Sequence, residues 1–415
     1  MDGALAMAGI PLADIAEEIG TPAYVYDAAG IRRRFLALDG AFGALPHRIC
    51  YAVKANSNLA ILRLLHQLGA GADIVSGGEL LRALAAGFPA SHVVFSGVGK
   101  SDEELLAAVT AGVGHINVES LDELRRLAML VDLHGARATV GIRVNPDVTV
   151  DSHPYISTGK GGLKFGVPID QIGAALAILE DAPALRLGAL AMHIGSQLLE
   201  TAPWSAGIAR LLELLGEVRA AGHAPDTLDV GGGIGIRYRD ESPLAPAEWI
   251  AALRDQLLAS GCTIHTEPGR YLVGNAGVLL TRVVYRKHSG GRDIAIVDAG
   301  MNDLIRPALY KAWHDIVPVE MVPGDPVPTD VVGPVCETGD FLGHERLLPP
   351  VSGGHLLAVL GAGAYGFAMS SNYNSRARAA EVLVEPGRWA VIRPRERLVD
   401  LFAAEVADPF AAEPS

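Results

Sequence analysis

The chain has 415 residues, too many for one ordinary core, so a large domain with a smaller companion is expected. With 50% hydrophobic and 20% charged residues it is not a disordered polymer, and a formal net charge of -13 argues against nucleic-acid backbones and anionic membrane surfaces as partners. Three scattered cysteines, Cys50, Cys262 and Cys336, offer neither a disulfide framework nor a zinc site, so no metal centre is expected and a cytoplasmic setting fits.

The N-terminal stretch carries Asp2, Asp14, Glu17 and Glu18 and no basic cluster ahead of an apolar run, so no signal peptide is expected. Apolar runs elsewhere are broken well before the about 18 residues of a membrane span. Tyr24-Val-Tyr26 reads as a strand that can pair with a later sheet. From there, short apolar runs alternate with helical patterns. Strands are expected to begin near Ile49, Ala72, Val93, His115, Thr139, Leu187, Leu228 and Thr263. Helices are expected over 59–68, 79–86, 102–111, 121–134, 171–180, 205–221 and 247–259. Ser101 with Glu104 and Ser120 with Glu123 have capping-box spacing, and Gly69, Gly87, Gly112 and Gly222 stand where left-handed C-terminal caps belong. Eight strands in strict alternation fit a (β/α)8 barrel or an open doubly wound sheet, and periodicity does not choose between them. After Arg270, strand-like runs at 278–285, 293–297, 330–335, 355–360, 380–384 and 389–392, broken by Gly and Pro, read as an all-β domain.

Four strand ends carry chemistry. Tyr51-Ala-Val-Lys54-Ala-Asn56 puts a lysine at the end of an apolar strand, where desolvation would lower its pKa and let it form a Schiff base with a carbonyl. His193-Ile-Gly-Ser196 offers an imidazole able to cover a planar ring. Asp229-Val-Gly231-Gly232-Gly233 exposes backbone amides that can cradle phosphate. Glu267-Pro268-Gly269-Arg270 adds a carboxylate and a guanidinium after the eighth strand. Taken singly, each has a plain structural alternative: a snorkelling lysine, a core histidine, a tight turn, a surface ion pair. Together the four are far more specific. Gly361-Ala-Gly363-Ala-Tyr-Gly366 matches a dinucleotide fingerprint, but polar loop follows it and no βαβ unit surrounds it, so it is expected to shape a loop.

These motifs, joined in order by Gly333-Pro-Val-Cys336-Glu337-Thr-Gly-Asp340 and Ala364-Tyr365-Gly-Phe-Ala-Met-Ser-Ser-Asn-Tyr-Asn374, resemble the fold-type III pyridoxal-phosphate-dependent decarboxylases, the diaminopimelate decarboxylase family in particular. The resemblance runs from roughly Thr21 to Pro394. It implies an alanine-racemase-like architecture: a (β/α)8 barrel over 28–273 and a β domain built from 1–27 and 274–415. It also implies a homodimer with shared active sites. Lys54 would carry pyridoxal 5'-phosphate, His193 would stack on its ring, and Glu267 would pair with the ring nitrogen. Gly231, Gly232, Gly233, Gly269 and Arg270 would hold phosphate, with Ser196, Pro268 and Tyr365 also at the cofactor. Arg270, Arg306, Tyr310 and Tyr365 would meet substrate. Cys336, as proton donor, and Glu337, at the substrate's far ammonium, would come from the partner subunit. The implied reaction is decarboxylation of meso-2,6-diaminopimelate to L-lysine, the last step of lysine biosynthesis. A decarboxylase of ornithine or lysine and a non-catalytic homologue that binds the cofactor are the alternatives. The family's serine-lysine-phenylalanine-glycine loop stands here as Leu163-Lys164-Phe165-Gly166, which leaves that loop's contacts open.

Overall fold

The computed structural model describes residues 4–146 and 164–407, so the loop from Ser152 to Leu163 lies outside the described residues. The chain divides into two units: residues 28–276 with 363–368, and residues 1–27, 277–362 and 369–415.

The larger unit is a closed parallel barrel. Its strands are β1 (His47–Ala52), β2 (Gly71–Ile74), β3 (Val93–Phe95), β4 (His115–Val118), β5 (Ala138–Asn145), β6 (Leu185–Ala191), β7 (Thr227–Asp229) and β8 (Thr263–Thr266). Each pairs with the next, and β8 closes on β1 through Ile264 opposite His47. Closure excludes the open sheet. Every strand begins within two residues of its expected start, because a strand buried on both faces shows itself as a continuous apolar run. The seven expected helices are present, and the glycines at 69, 87, 112 and 222 all have positive φ.

Some local expectations need correction. The capping box at Ser101 is complete, with Glu104 N donating to Ser101 Oγ and Ser101 N to Glu104 Oε2. That at Ser120 is half made, because Glu123 turns one oxygen to Glu119 N and the other to Lys100. The helix Ala28–Phe42 was not foreseen; Gly30, Gly40 and the run Arg32 to Arg34 blur its apolar period. Residues 363–368 group with the barrel, since Tyr365 N bonds Ala55 O and Gly363 N bonds Gly274 O.

The second unit is built on Gly277–Ser289, a long strand that pairs antiparallel with Ala23–Asp27, Arg292–Val297 and Leu356–Val359. Ala23–Asp27 also runs parallel to Ala380–Glu385, so the Tyr24–Tyr26 strand does join the later sheet. The strands Phe341–Leu348 and Ile316–Pro318 were missed. So was the helix Leu12–Ile19, whose Leu12 and Ile15 enter a core with Val25, Leu280 and Val382. The expected strand over 330–335 ends at Val332, and the rest is the loop that carries Cys336. Among the described residues no helix is long and apolar enough to cross a membrane.

Candidate active site

β1 ends in a 3-10 turn, Val53–Ala55, that lifts Lys54 to the C-terminal mouth of the barrel. Its Nζ donates to Asp73 Oδ2 at 2.9 Å, and Asp73, on β2, is fully buried. This corrects the expected direction of the lysine pKa. Desolvation pulls it down, but the charge of Asp73, with Tyr365 and Glu267, outweighs that and holds Lys54 above the ordinary lysine range. Asp73 was missed because a lone acid in an apolar strand looks like noise until its lysine partner is placed.

Glu267 follows β8 and is 8% exposed. Desolvation, then the neighbouring Asp229 and Asp73, push its pKa well up, and Asp229 itself is raised to about 6, mainly by burial. Asp229 accepts from Gly231 N through Oδ1, while its Oδ2 is buried with no partner among the described residues except Glu267, with which it can share a proton. His193, just past β6, accepts from Gly232 N at 3.2 Å through Nδ1. Burial, then Arg143 and Lys54, hold its pKa well below the usual imidazole value, so it is neutral.

The glycine turn after β7 is forced by crowding. A Cβ on Gly231, Gly232 or Gly233 would strike the carbonyls of Met192, Glu267 and Gly195 respectively, and Gly231 and Gly233 have φ of 69° and 102°. The N–H groups of Gly231 and Gly232 are already spent on Asp229 and His193. Gly269 faces the Cβ atoms of Ala55 and Ala52, and Pro268 O accepts from Ala52 N, so Glu267-Pro-Gly-Arg270 lies against the Lys54 turn. Arg270 donates to Tyr238 Oη at 2.7 Å and to Ser196 Oγ at 3.1 Å, and its guanidinium lies 4.9 Å from the Tyr365 ring centroid. The Gly361 to Gly366 loop thus brings Tyr365 to the barrel, with φ of 56° at that residue and only a 3-10 turn, Phe367–Met369, after it.

Lys54, His193 and Glu267 share one cavity of about 420 Å³ with Arg143, Phe165 and Asn117. Arg143, two residues before the end of β5, donates to the buried Glu119 at 2.7 Å and lies 5.0 Å from the Phe165 ring centroid. Glu119 in turn accepts from Gly97 N and Gly166 N, tying three strand-end loops together. Sequence reasoning did not find Arg143, Glu119 or Tyr238. The cavity fits a flat heteroaromatic aldehyde. Lys54 supplies the amine, His193 and Phe165 supply flat rings in the lining, and the excess of buried acid suits a protonated ring nitrogen.

In the second unit, Arg306 opens the short helix Arg306–Tyr310 and is 6% exposed. Cys336 is exposed, unlike Cys50 and Cys262, and its N–H donates to Asn374 Oδ1. Asp340 pins the same loop by accepting from Val335 N and Met301 N, both at 2.6 Å. Glu337 hydrogen-bonds Tyr373 and raises that phenol.

Residues 28–274 match the family described as pyridoxal-dependent decarboxylase, pyridoxal binding domain. The chain is 50% identical over 404 residues to the diaminopimelate decarboxylase of Pseudomonas aeruginosa, covering 97% of each. It is similar to the crystal structure of diaminopimelate decarboxylase from Helicobacter pylori complexed with L-lysine, at 39% identity and a TM-score of 0.92 over 95% of this chain and 99% of that one. The M. jannaschii enzyme in co-complex with L-lysine gives 34% and 0.94 over 98% and 97%. With a pyridoxal-binding barrel, the lysine and acids at its mouth, and likeness along nearly the whole length, the chain belongs to the diaminopimelate decarboxylase family.

Proposed function

We propose that this protein is a pyridoxal-5'-phosphate-dependent enzyme that removes the carboxylate at the D-centre of meso-2,6-diaminopimelate. The products are L-lysine and CO2, and the step closes lysine biosynthesis. It acts in the cytoplasm as a homodimer whose two chains complete each other's sites. The observation that carries this reading is the mouth of the barrel, where Lys54 meets Asp73 and shares a cavity with His193 and Glu267.

Lys54 would bear the cofactor aldehyde and His193 cover the ring. Ser196, Gly233, Pro268, Gly269, Arg270 and Tyr365 would hold the rest of the group, with Gly231 and Gly232 shaping the turn, their own N–H groups being taken by Asp229 and His193. When bound, the cofactor supplies an electron sink for the pair left behind by departing CO2. Glu267 would keep a proton on the ring nitrogen; its high pKa lets it share one with Asp229 until that nitrogen arrives. Asp73 holds Nζ of Lys54 in place. The thiol of Cys336, brought by the partner subunit, would return a proton to the substrate carbon.

Substrate choice follows from charge. Arg306 and Tyr310 would take the far carboxylate and the partner's Glu337 the far ammonium, with Arg270 and Tyr365 nearer the cofactor. Ornithine has no far carboxylate and would forgo the charge-assisted contact with Arg306, a loss that discriminates against it. In the related ornithine enzymes an aspartate commonly follows the cysteine, so Glu337 also favours the longer, zwitterionic substrate. Purified protein with pyridoxal phosphate should release CO2 from meso-diaminopimelate and form lysine, with little from ornithine or lysine. Equal release from ornithine would overturn the substrate assignment, and release from none would favour a non-catalytic role.

A further inference from the structure

Arg306 does not stand in its position by helix geometry alone. Its Nη1 lies 2.8 Å from Nε2 of His314, and Nδ1 of His314 lies 2.8 Å from the carbonyl oxygen of Leu360. His314 is fully buried. A guanidinium offers only donors and a carbonyl only accepts. Nε2 must therefore present its lone pair and Nδ1 its proton, which makes His314 a neutral imidazole locked in one tautomer.

The backbone builds this clamp deliberately. The helix stops at Lys311, whose φ of 54° turns the chain back, and Ala312 N bonds Arg306 O, so His314 returns to the arginine eight residues before it. On the other side Leu360 N bonds Asp315 O, and Ile316 pairs with Val359, fixing the Leu360 carbonyl in register. The choice of imidazole matters. A carboxylate at this distance would also orient the guanidinium, but it would bring a full negative charge that competes with an incoming carboxylate. A neutral acceptor fixes direction and adds no charge.

We propose that His314 is a positioning residue for substrate specificity: it aims Arg306 at the substrate's far carboxylate and, being neutral, adds no charge of its own to compete with that carboxylate. This rests on the reading of Arg306 as the far-carboxylate contact. The test uses the holoenzyme and two ligands. L-Lysine keeps the far carboxylate after decarboxylation, while 1,5-diaminopentane has the same chain and two amines but no carboxylate. Calorimetry should show that His314→Leu weakens lysine about tenfold, the lower end for a lost hydrogen bond to a charged group, and leaves diaminopentane binding alone. The KM for diaminopimelate should rise by a similar factor, with kcat falling less. His314→Gln should restore lysine binding, since its amide oxygen can accept from Nη1. His314→Glu keeps an acceptor but adds charge, and should lose the preference for lysine as His314→Leu does.

A wild-type preference for lysine in both the Leu and Glu variants overturns the proposal. If His314→Leu does not fold, the Gln and Glu variants, which differ in charge at one side-chain group, still decide it: equal lysine affinity in those two overturns it. Arg306→Gln runs alongside. Preference lost there but kept in the His314 variants sinks the clamp alone; preference kept there sinks the substrate reading and the clamp with it.

Discussion

His265 and Glu267 stand two residues apart along one edge of the barrel, so their side chains face the same interior, yet that interior treats them differently. Around His265 lie Cys50, with Sγ 3.9 Å from Nδ1, and His115, with ring centroids 5.7 Å apart. Burial, then neighbouring positive groups, lowers His265 to about 3, and burial lowers His115 to about 4, while burial pushes the Cys50 thiol well up. All three are thereby uncharged at neutral pH. One layer nearer the mouth, Lys54 stays charged because Asp73 is there to meet it, and Glu267 has Asp229 and Asp73 to raise its pKa against the pull of that lysine. Burial therefore gives an inert layer where charge has no close partner, and the mouth is a reactive one because acids and an amine are placed against each other there.

The sharpest way to break the comparison is to remove the amine. Lys54→Ala should cut turnover by roughly a thousandfold or more and abolish covalent retention of the cofactor, because Lys54 is the amine that shares the cavity with His193 and Glu267, while Lys100, in the loop after β3, is held by Glu123 and two carbonyls. Borohydride reduction and peptide mapping of the wild type should place the cofactor on Lys54; a label on Lys164 would overturn the assignment. If the mouth is completed by a second chain, mixing Lys54→Ala with Cys336→Ala should recover activity. With free exchange about half the dimers are mixed and each holds one intact site, so about a quarter of wild-type activity is expected. No recovery, with exchange shown by subunit labelling, would mean that each chain makes its own site.

A smaller effect is expected from Glu337→Asp. One methylene less lengthens the contact proposed for the substrate's far ammonium, and loss of a hydrogen bond to a charged group costs about 1.5 to 3 kcal/mol, so kcat/KM for diaminopimelate should fall roughly ten- to a hundredfold. Cofactor affinity should hold, since Lys54, Glu267 and the glycine turn are untouched. Unchanged kinetics would remove Glu337 from the substrate site. Asp73→Asn turns the mouth into a second inert layer: desolvation of Lys54 then prevails and its pKa falls. Acylation of Lys54 in the cofactor-free variant should therefore begin at lower pH than in the wild type.

What was legible in the sequence, and what was not, follows the same line between layers. Barrel strands announce themselves because burial on both faces demands apolar runs, and Lys54, His193, Glu267 and Arg270 stand out as polar residues just beyond those runs. Asp73, Glu119 and Arg143 carry as much of the site but gain meaning only from partners 19 to 24 residues away, at the ends of neighbouring strands. His115 and His265 looked like ordinary strand residues, since nothing local says that two imidazoles meet inside a barrel. The pairing of Ala23–Asp27 was readable as an orphan strand in search of a sheet, whereas the helix that follows it was hidden by its arginines.

The inert layer makes the last prediction, and its sign can be worked out. Unfolded histidines take up protons near pH 6.5, whereas His115 and His265 resist until about 4 and about 3. As pH falls below 6.5 the unfolded state binds protons that the folded state refuses, so stability is full above that point and drains away beneath it. Each imidazole contributes up to about 1.4 kcal/mol per pH unit across its window. Asp229, raised to about 6, works the other way: the folded state takes its proton first, and this offsets part of the loss between pH 6 and 4. His115→Asn leaves a neutral side chain of similar polarity on β4, away from Lys54. Denaturant titrations from pH 7 to 4.5 should show a shallower fall in stability for the variant than for the wild type, with turnover at pH 7.5 little changed. Parallel curves would mean that His115 gains a proton in the fold as easily as in the open chain, and that the inner layer is wetter than its packing indicates.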